Sequence, residues 1–304
     1  MDKIEICLRL GRNNFDALNI VQDVLNQYIG RGEATHLKPR WYRNNRIPSK
    51  VVQIPLSTDR PQYLIVESGS AMDWHGGSRP YVKFVLNVQR LAANTEARRR
   101  FQEVLLDLIP SGGYPVLLEE GYVLYAEFSA DFRGVEISTL DAYCPTLTDV
   151  RYFSRDGVTK TINLHDKRPG RPEAFCAYDK KQADWDQHRH LRRGPILRIE
   201  AKRRLNRTPT YREIRLGELH HISNPFAGLK IYERARIDGA FTAARHQTFL
   251  AHVQRAGVQA ALAGTRGADR GRRERMLEAC RADWWDAEQA WARARDAVVT
   301  AVQL

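Results

Sequence analysis

A tyrosine and a lysine two residues apart, followed about twenty residues later by an Arg-hydrophobe-Glu segment, hold the parts of a phosphotyrosine reaction. The two segments are Tyr178-Asp179-Lys180 and Arg198-Ile199-Glu200-Ala201-Lys202. They offer a phenol as nucleophile, an ammonium to stabilise developing charge, and a carboxylate able to bind a divalent metal. On a strand, Arg198, Glu200 and Lys202 project from one face and Leu197, Ile199 and Ala201 from the other. Such a charged face is either a solvated edge or a site in which Glu200 binds a metal or orients Lys202 while the cations hold phosphate oxygens. Tyr178 ends the apolar run Phe175-Cys176-Ala177, where a half-buried aromatic would also sit. A free phenol, with a pKa of about 10, is almost wholly protonated at neutral pH. Nearby Mg²⁺ or Mn²⁺ and an adjacent ammonium would each favour the phenolate. Lys180 shares the face of Tyr178 if the strand continues; Asp179 then points away, or caps a helix beginning at Lys180.

Glu127 and Asp131 are the other acidic candidates. Both lie on one face of a strand, but four residues of strand separate them by about 13 Å, too far to grip one ion without a bulge. One is expected as a metal ligand, with Glu127 preferred, and the other as a supporting or DNA-facing group. Histidine offers a rival metal site at His188-Arg189-His190, although its flanks, Gln187 and Leu191-Arg192-Arg193, suggest an exposed loop or helix end. His220 and His221 are adjacent and would diverge on a strand. Tyr143 and Tyr152 are alternative nucleophiles, and the sequence does not choose between one reactive tyrosine and two. No Walker A loop, GxGxxG segment or GxSxG elbow is present, which leaves no local case for an ATPase, a dinucleotide enzyme or a serine hydrolase.

Charge points to a polyanionic partner. From Arg189 to Arg215 there are ten Arg or Lys against two acids, which accounts for most of the formal +12 of the 304-residue chain. A pI near 9.7 favours nucleic acid over an anionic membrane surface. The hydrophobic share of 43% excludes wholesale disorder. Cys7, Cys144, Cys176 and Cys280 form no metal spacing and read as reduced, mostly buried thiols in a cytoplasmic protein. The chain opens with charge and a strand pattern, so no signal peptide is visible. No apolar run approaches the roughly 18 residues that a membrane span needs.

The elements that must carry these residues are legible as periodicities. Lys3–Leu10 alternates as a half-buried strand, and Asn14 can cap a helix with Phe15, Leu18, Val21, Leu25 and Tyr28 along one face, stopped at Gly30. Strands are expected at Lys50–Ile54, Tyr63–Glu67 and Tyr81–Val88, and a helix at Thr95–Ile109 before Pro110-Ser111-Gly112-Gly113. Tyr122–Asp131 alternates again, with Leu124, Ala126, Phe128 and Ala130 opposite Tyr125, Glu127, Ser129 and Asp131. Thr159–His165, Ala174–Tyr178 and Ile196–Lys202 are further strands. From about Phe241 the pattern turns helical: Phe249, Val253, Ala256 and Ala260 give one face, Gly264–Gly271 a basic flexible break, and Trp284, Ala287, Trp291, Ala294 and Val298 a last stripe. That stripe serves packing within the chain or a dimer contact.

The expected fold is α+β: residues 1–113 as an N-terminal unit, 114–225 as a catalytic unit, and 226–304 as a basic helical C-terminal region. The order Ala126-Glu127-Phe128-Ser129-Ala130-Asp131, Thr161-Ile162-Asn163-Leu164, Phe175-Cys176-Ala177-Tyr178-Asp179-Lys180 and Leu197-Arg198-Ile199-Glu200 resembles the replication initiation factor family. These are rolling-circle initiators of small plasmids and filamentous phages, and the likeness covers roughly residues 120–205. It implies two similar antiparallel-sheet and helix units related to the His-hydrophobe-His (HUH) nucleases without their histidine motif. It also implies a metal-dependent endonuclease that nicks and joins one DNA strand at an origin. Tyr178 would be the nucleophile with Lys180 beside it, and Glu127, Asp131 and Glu200 would hold Mg²⁺ or Mn²⁺. Two departures from the family pattern are Gln182-Ala183-Asp184, where a glutamate is usual, and Glu127, where aspartate is commoner. Arg198, Lys202, Arg203, Arg204, Arg192 and Arg193 are the expected DNA contacts. The partners would be an origin duplex or hairpin and its single strand, with a host helicase and polymerase, no membrane, and a monomeric or homodimeric protein. The rival readings are a non-catalytic DNA-binding regulator or packaging factor, and an RNA-binding or structural protein. Tyr211 alone interrupts the Arg-rich stretch, which gives little support to a stacking platform for single strands.

Overall fold

The computed structural model describes residues 3–11, 13–38, 47–58, 62–72, 78–166, 174–181, 183, 194–205 and 214–302. The protein is α+β and forms two compact units that are interleaved along the chain. The first takes in Met1–Glu127, Arg204–Ile222 and Arg295–Leu304; the second takes in Phe128–Arg203 and Ser223–Ala294. The sequential division at residues 113 and 225 is therefore replaced by one in which the chain leaves the first unit twice and returns to it twice.

In the first unit the strands are β1 (Lys3–Arg9), β2 (Thr35–Leu37), β3 (Ile47–Ser57), β4 (Gln62–Met72), β5 (Ser78–Asn87) and the opening of β6 (Tyr122–Arg133). They lie in the order β2-β3-β4-β5-β1-β6. Alternation puts Ile4, Ile6 and Leu8 of β1 on the buried face, each under 5% exposed. Helix α1 (Phe15–Gly30) starts where the Asn14 side chain accepts from the Ala17 N–H at 3.2 Å, and buries Leu18, Val21, Leu25 and Tyr28. Phe15, the first residue of α1, departs from the expected stripe and is 45% exposed. The short helix α2 (Val88–Ala92) leads into α3 (Thr95–Leu108), which buries Phe101, Val104 and Leu105, and α4 (Tyr114–Glu120) follows. Each such buried aliphatic side chain contributes about 1.5–3 kcal/mol. A register shift between Glu5 and Ile6 against Val123 and Tyr125 marks a bulge at Leu124. The bulge buries Val123 and leaves Leu124 half-buried, so the expected Leu124–Ala130 face begins only at Ala126.

In the second unit the end of β6 continues with β7 (Leu140–Tyr143), β8 (Asp149–Arg155), β9 (Val158–His165), β10 (Ala174–Asp179), β11 (Ile196–Arg204) and β12 (Lys230–Glu233). The order is β6-β11-β10-β9-β8, with β12 paired to β7 separately. The helices are α5 (Arg234–Ala240), α6 (Gln247–Ala263), α7 (Gly267–Glu278) and the start of α8 (Ala287–Val302), whose residues from Arg295 on belong to the first unit. A core of Tyr143, Tyr232, Phe241, Phe249, Val253, Val258, Leu262 and Leu277 ties the helices to β7 and β12. Residues 264–271, expected as a flexible break, include the start of α7, which an Arg270–Glu274 ion pair at 3.0 Å and buried Leu277 hold in place. Trp291 and Ala294 of α8 are buried, and Trp291 meets Phe128 edge-on at 5.3 Å between ring centres, so this part of the stripe packs within the chain.

Candidate active site

Strand pairing decides which charges meet. In the antiparallel β10–β11 pair, Tyr178 lies opposite Arg198 and Cys176 opposite Glu200. Directly opposed residues share a face, and the diagonal neighbour is within reach of an aromatic side chain. Tyr178 accordingly reaches diagonally to Glu200, its Oη donating to Glu200 Oε1 at 2.7 Å. Tyr178 stays half-buried while Glu200 is 7% exposed. The phenol is therefore neither closed off in the core nor loose on the surface.

A second cluster adjoins it on the same face of β11. Arg198, 5% exposed, donates from Nε to Asp131 Oδ1 at 2.6 Å and from Nη2 to Asp131 Oδ2 at 2.8 Å. This forked geometry is the strongest an arginine and a carboxylate adopt. Lys180 Nζ stands 3.9 Å from Asp131 Oδ2, and Lys202 Nζ 3.6 Å from Glu200 Oε2. Strand β10 ends at Asp179 and the backbone turns helical at Lys180. That turn carries Lys180 towards Asp131, while Asp179 meets Lys160 at 3.7 Å. The charged face is not a solvated edge: β11 lies between β6 and β10, and every residue from Ile196 to Ala201 is buried.

The remaining candidates fall elsewhere. Glu127, in the first unit, accepts from the Tyr125 hydroxyl. Arg203 donates to the Pro225 carbonyl and lies over the Phe175 ring at 5.5 Å. Arg204 is exposed. Arg192, Arg193, His188, His190, Gln182, Asp184 and Tyr211 lie outside the described residues. His220 and His221 do not diverge: they sit in a 3-10 turn with ring centres 3.8 Å apart.

Mg²⁺ or Mn²⁺ does not fit this arrangement. Among the described residues no three His, Cys, Asp or Glu side chains gather as a ligand set. Asp131 already spends both oxygens on a guanidinium, and Glu200 serves a phenol and an ammonium. Cations so placed would repel a divalent ion.

Tyr143 and Tyr152 are held in ways that oppose ionisation. Tyr143 is 2% exposed, donates to Glu274 at 3.0 Å and accepts from Arg270 at 3.1 Å; burial raises its pKa. Tyr152 donates to buried Asp141 at 2.6 Å, and burial followed by that carboxylate drives its pKa far up. Asp141 Oδ1 also accepts from the N–H groups of Ala142 and Val258, while Oδ2 has no hydrogen-bond partner among the described residues. Burial raises the Asp141 pKa against the pull of Tyr152, Arg234 and those two N–H groups. An acid raised in the folded state stabilises the fold in its protonated form. That contribution is complete below the unfolded value of about 4 and is lost as pH rises towards the folded value. The stability of the wild type relative to Asp141→Asn is thus expected to fall as pH rises above about 4 in urea titrations. A difference independent of pH would contradict this account.

Fold and site together define an α+β protein with a phenol–carboxylate pair, flanked by cations, on one sheet face. No protein-family model matches the sequence, and no curated protein matches it. Solved structures that are similar in part include the following three. One is a rolling circle replication initiator protein from Geobacillus stearothermophilus, at 13% identity, covering 67% of this chain and 72% of that one, with a TM-score of 0.35. The second is DynU16, from the dynemicin biosynthetic locus, at 9% identity over 69% of this chain and 90% of that one, TM-score 0.22. The third is the di-domain ARO/CYC BexL of the BE-7585A biosynthetic pathway, at 11% identity over 88% and 100%, TM-score 0.19.

Proposed function

We propose that this protein is a rolling-circle replication initiator that nicks and rejoins one DNA strand at an origin through a 5′-phosphotyrosine on Tyr178. The observation that carries the reading is the 2.7 Å hydrogen bond from a half-buried Tyr178 hydroxyl to buried Glu200. A nucleophile within hydrogen-bond reach of a base is the arrangement that covalent catalysis requires. As Tyr178 Oη attacks phosphorus, Glu200 takes the phenol proton. The bond from phosphorus to the 3′ oxygen breaks, and that oxygen leaves with a proton from water as a 3′ hydroxyl able to prime synthesis. Rejoining runs the steps backwards, with Glu200 returning the proton to Tyr178. Lys180 and Lys202 sit where they can hold the non-bridging oxygens as charge builds. Arg198, committed to Asp131, is a positioning residue. No step here passes through a metal ion.

Glu200→Gln keeps the shape of the side chain and removes the base. It is expected to slow covalent adduct formation by about 10²–10⁴-fold, measured with a pool of 3′-labelled single strands from the DNA around the gene. An unchanged rate would remove Glu200 from the chemistry. The reading as a non-catalytic DNA-binding protein draws on the same ion pairs, which already neutralise Asp131 and Glu200. It is the outcome if strands bind with steep salt dependence and no adduct forms under any condition.

A further inference from the structure

We infer that Arg245, His246, Arg272 and Arg273 build a seat for a phosphate group, separate from the Tyr178 chemistry and independent of it. With Asp269 they line one cavity of about 210 Å³ in the second unit. Sites for drug-sized ligands span roughly 300–1,000 Å³, so this one suits a small anion rather than a whole nucleotide. Its lining is three guanidinium groups and an imidazole against a single carboxylate.

The cations are left unneutralised. Among the described residues none of Arg245, Arg272 and Arg273 forms an ion pair, although Asp269 lines the same cavity. Some other arginines of the same region are matched, Arg270 with Glu274 at 3.0 Å, Arg281 with Glu278 at 3.4 Å and Arg236 with Glu233 at 2.8 Å, while Arg266 and Arg275 form no ion pair among the described residues. Two of the three guanidinium groups are also fixed in advance. Arg273 donates to Thr265 Oγ1 at 2.8 Å and lies over the Phe249 ring at 4.6 Å. Arg245 donates from Nε to His246 Nε2 at 3.2 Å, and His246 is 6% exposed with its ring edge-on to Phe241. A planar fork held in place before the ligand arrives matches phosphate oxygens with little ordering cost. Arg272 is exposed and lines the same cavity.

Phosphate chemistry could reach this seat as a backbone phosphodiester of a nucleic-acid strand or as free phosphate. The full-length chain, Arg272→Gln and Arg245→Gln/Arg272→Gln are compared for binding of inorganic phosphate by calorimetry and of random-sequence DNA by anisotropy across salt. Each guanidinium removed is expected to weaken binding by about tenfold and, for DNA, to lower the salt slope by about one. Loss in the DNA arm identifies a strand as the occupant; loss in the phosphate arm alone identifies the free ion. The inference is overturned if both arms match the wild type while the thermal midpoints are equal. Should the double variant fail to fold, Arg272→Gln alone decides, since its side chain holds no partner among the described residues. Tyr178→Phe separates the two sites: it leaves this binding intact whatever happens to the covalent adduct.

Discussion

Tyr178→Phe is expected to abolish the covalent protein–DNA species completely while leaving DNA affinity nearly unchanged. The substitution removes one oxygen. That oxygen is the attacking atom of the proposed nick, and its hydrogen bond to Glu200 is the contact that readies it. The stability cost is small, about 1 kcal/mol, because the ring stays packed and only one hydrogen bond is lost. The experiment is denaturing electrophoresis of protein incubated with 3′-labelled strands, since the 5′-phosphate side is the one joined. An adduct that persists in Tyr178→Phe would move the nucleophile elsewhere. Tyr152 is a poor replacement, because reacting would require it to ionise beside the buried Asp141 carboxylate. Running the assay with and without Mn²⁺ tests the role of the ion at the same time. An adduct that needs the ion would mean Asp131 or Glu200 gives up its cation partners on binding DNA, contrary to the arrangement described above.

Gly257→Ala is expected to destabilise the fold by about 4 kcal/mol, from backbone strain and overpacking together. Gly257 sits inside α6 at φ 82° and ψ 166°, a region of backbone space that is essentially glycine's alone. A Cβ there would stand 1.8 Å from Tyr152 Oη and 2.5 Å from its Cζ. The kink thus makes room for the Tyr152 ring, whose hydroxyl then reaches Asp141, while the Val258 N–H freed at the kink donates to the same carboxylate at 3.3 Å. The two sites are coupled, so Tyr152→Ala/Gly257→Ala should cost less than the sum of the single variants. Urea unfolding measures all three. A loss below about 1 kcal/mol for Gly257→Ala would show that the helix can straighten without displacing Tyr152, against the strain expected there.

Elements whose burial follows a simple period are legible without coordinates. In β1 the alternation of Ile4, Ile6 and Leu8, and in α1 the capping Asn14 and the spacing of Leu18, Val21, Leu25 and Tyr28, depend only on neighbours along the chain. The strands β2, β7 and β12 are not legible in this way, because three or four residues are too few to show a period. Helix α7 is obscured by Gly267, Gly271 and a dense run of charge, and it is held by contacts from Arg270 and Arg273 that no local propensity reports. The expected face containing Ala256 and Ala260 fails for a related reason: the kink at Gly257 rotates the second half of α6, so Val258, Ala261 and Leu262 are buried instead.

For the site, sequence alone settled which side chains share a strand face, because alternation is a property of one strand. It therefore put Arg198, Glu200 and Lys202 together and made Tyr178 and Lys180 plausible company for them. Tertiary structure decided the pairs. The β10–β11 register sets Tyr178 opposite Arg198 and lets it lean to Glu200, and the arrival of β6 beside β11 gives Arg198 to Asp131. Register is set by hydrogen bonds between segments far apart in the chain, and a shift of one residue would turn every one of these side chains to the other face.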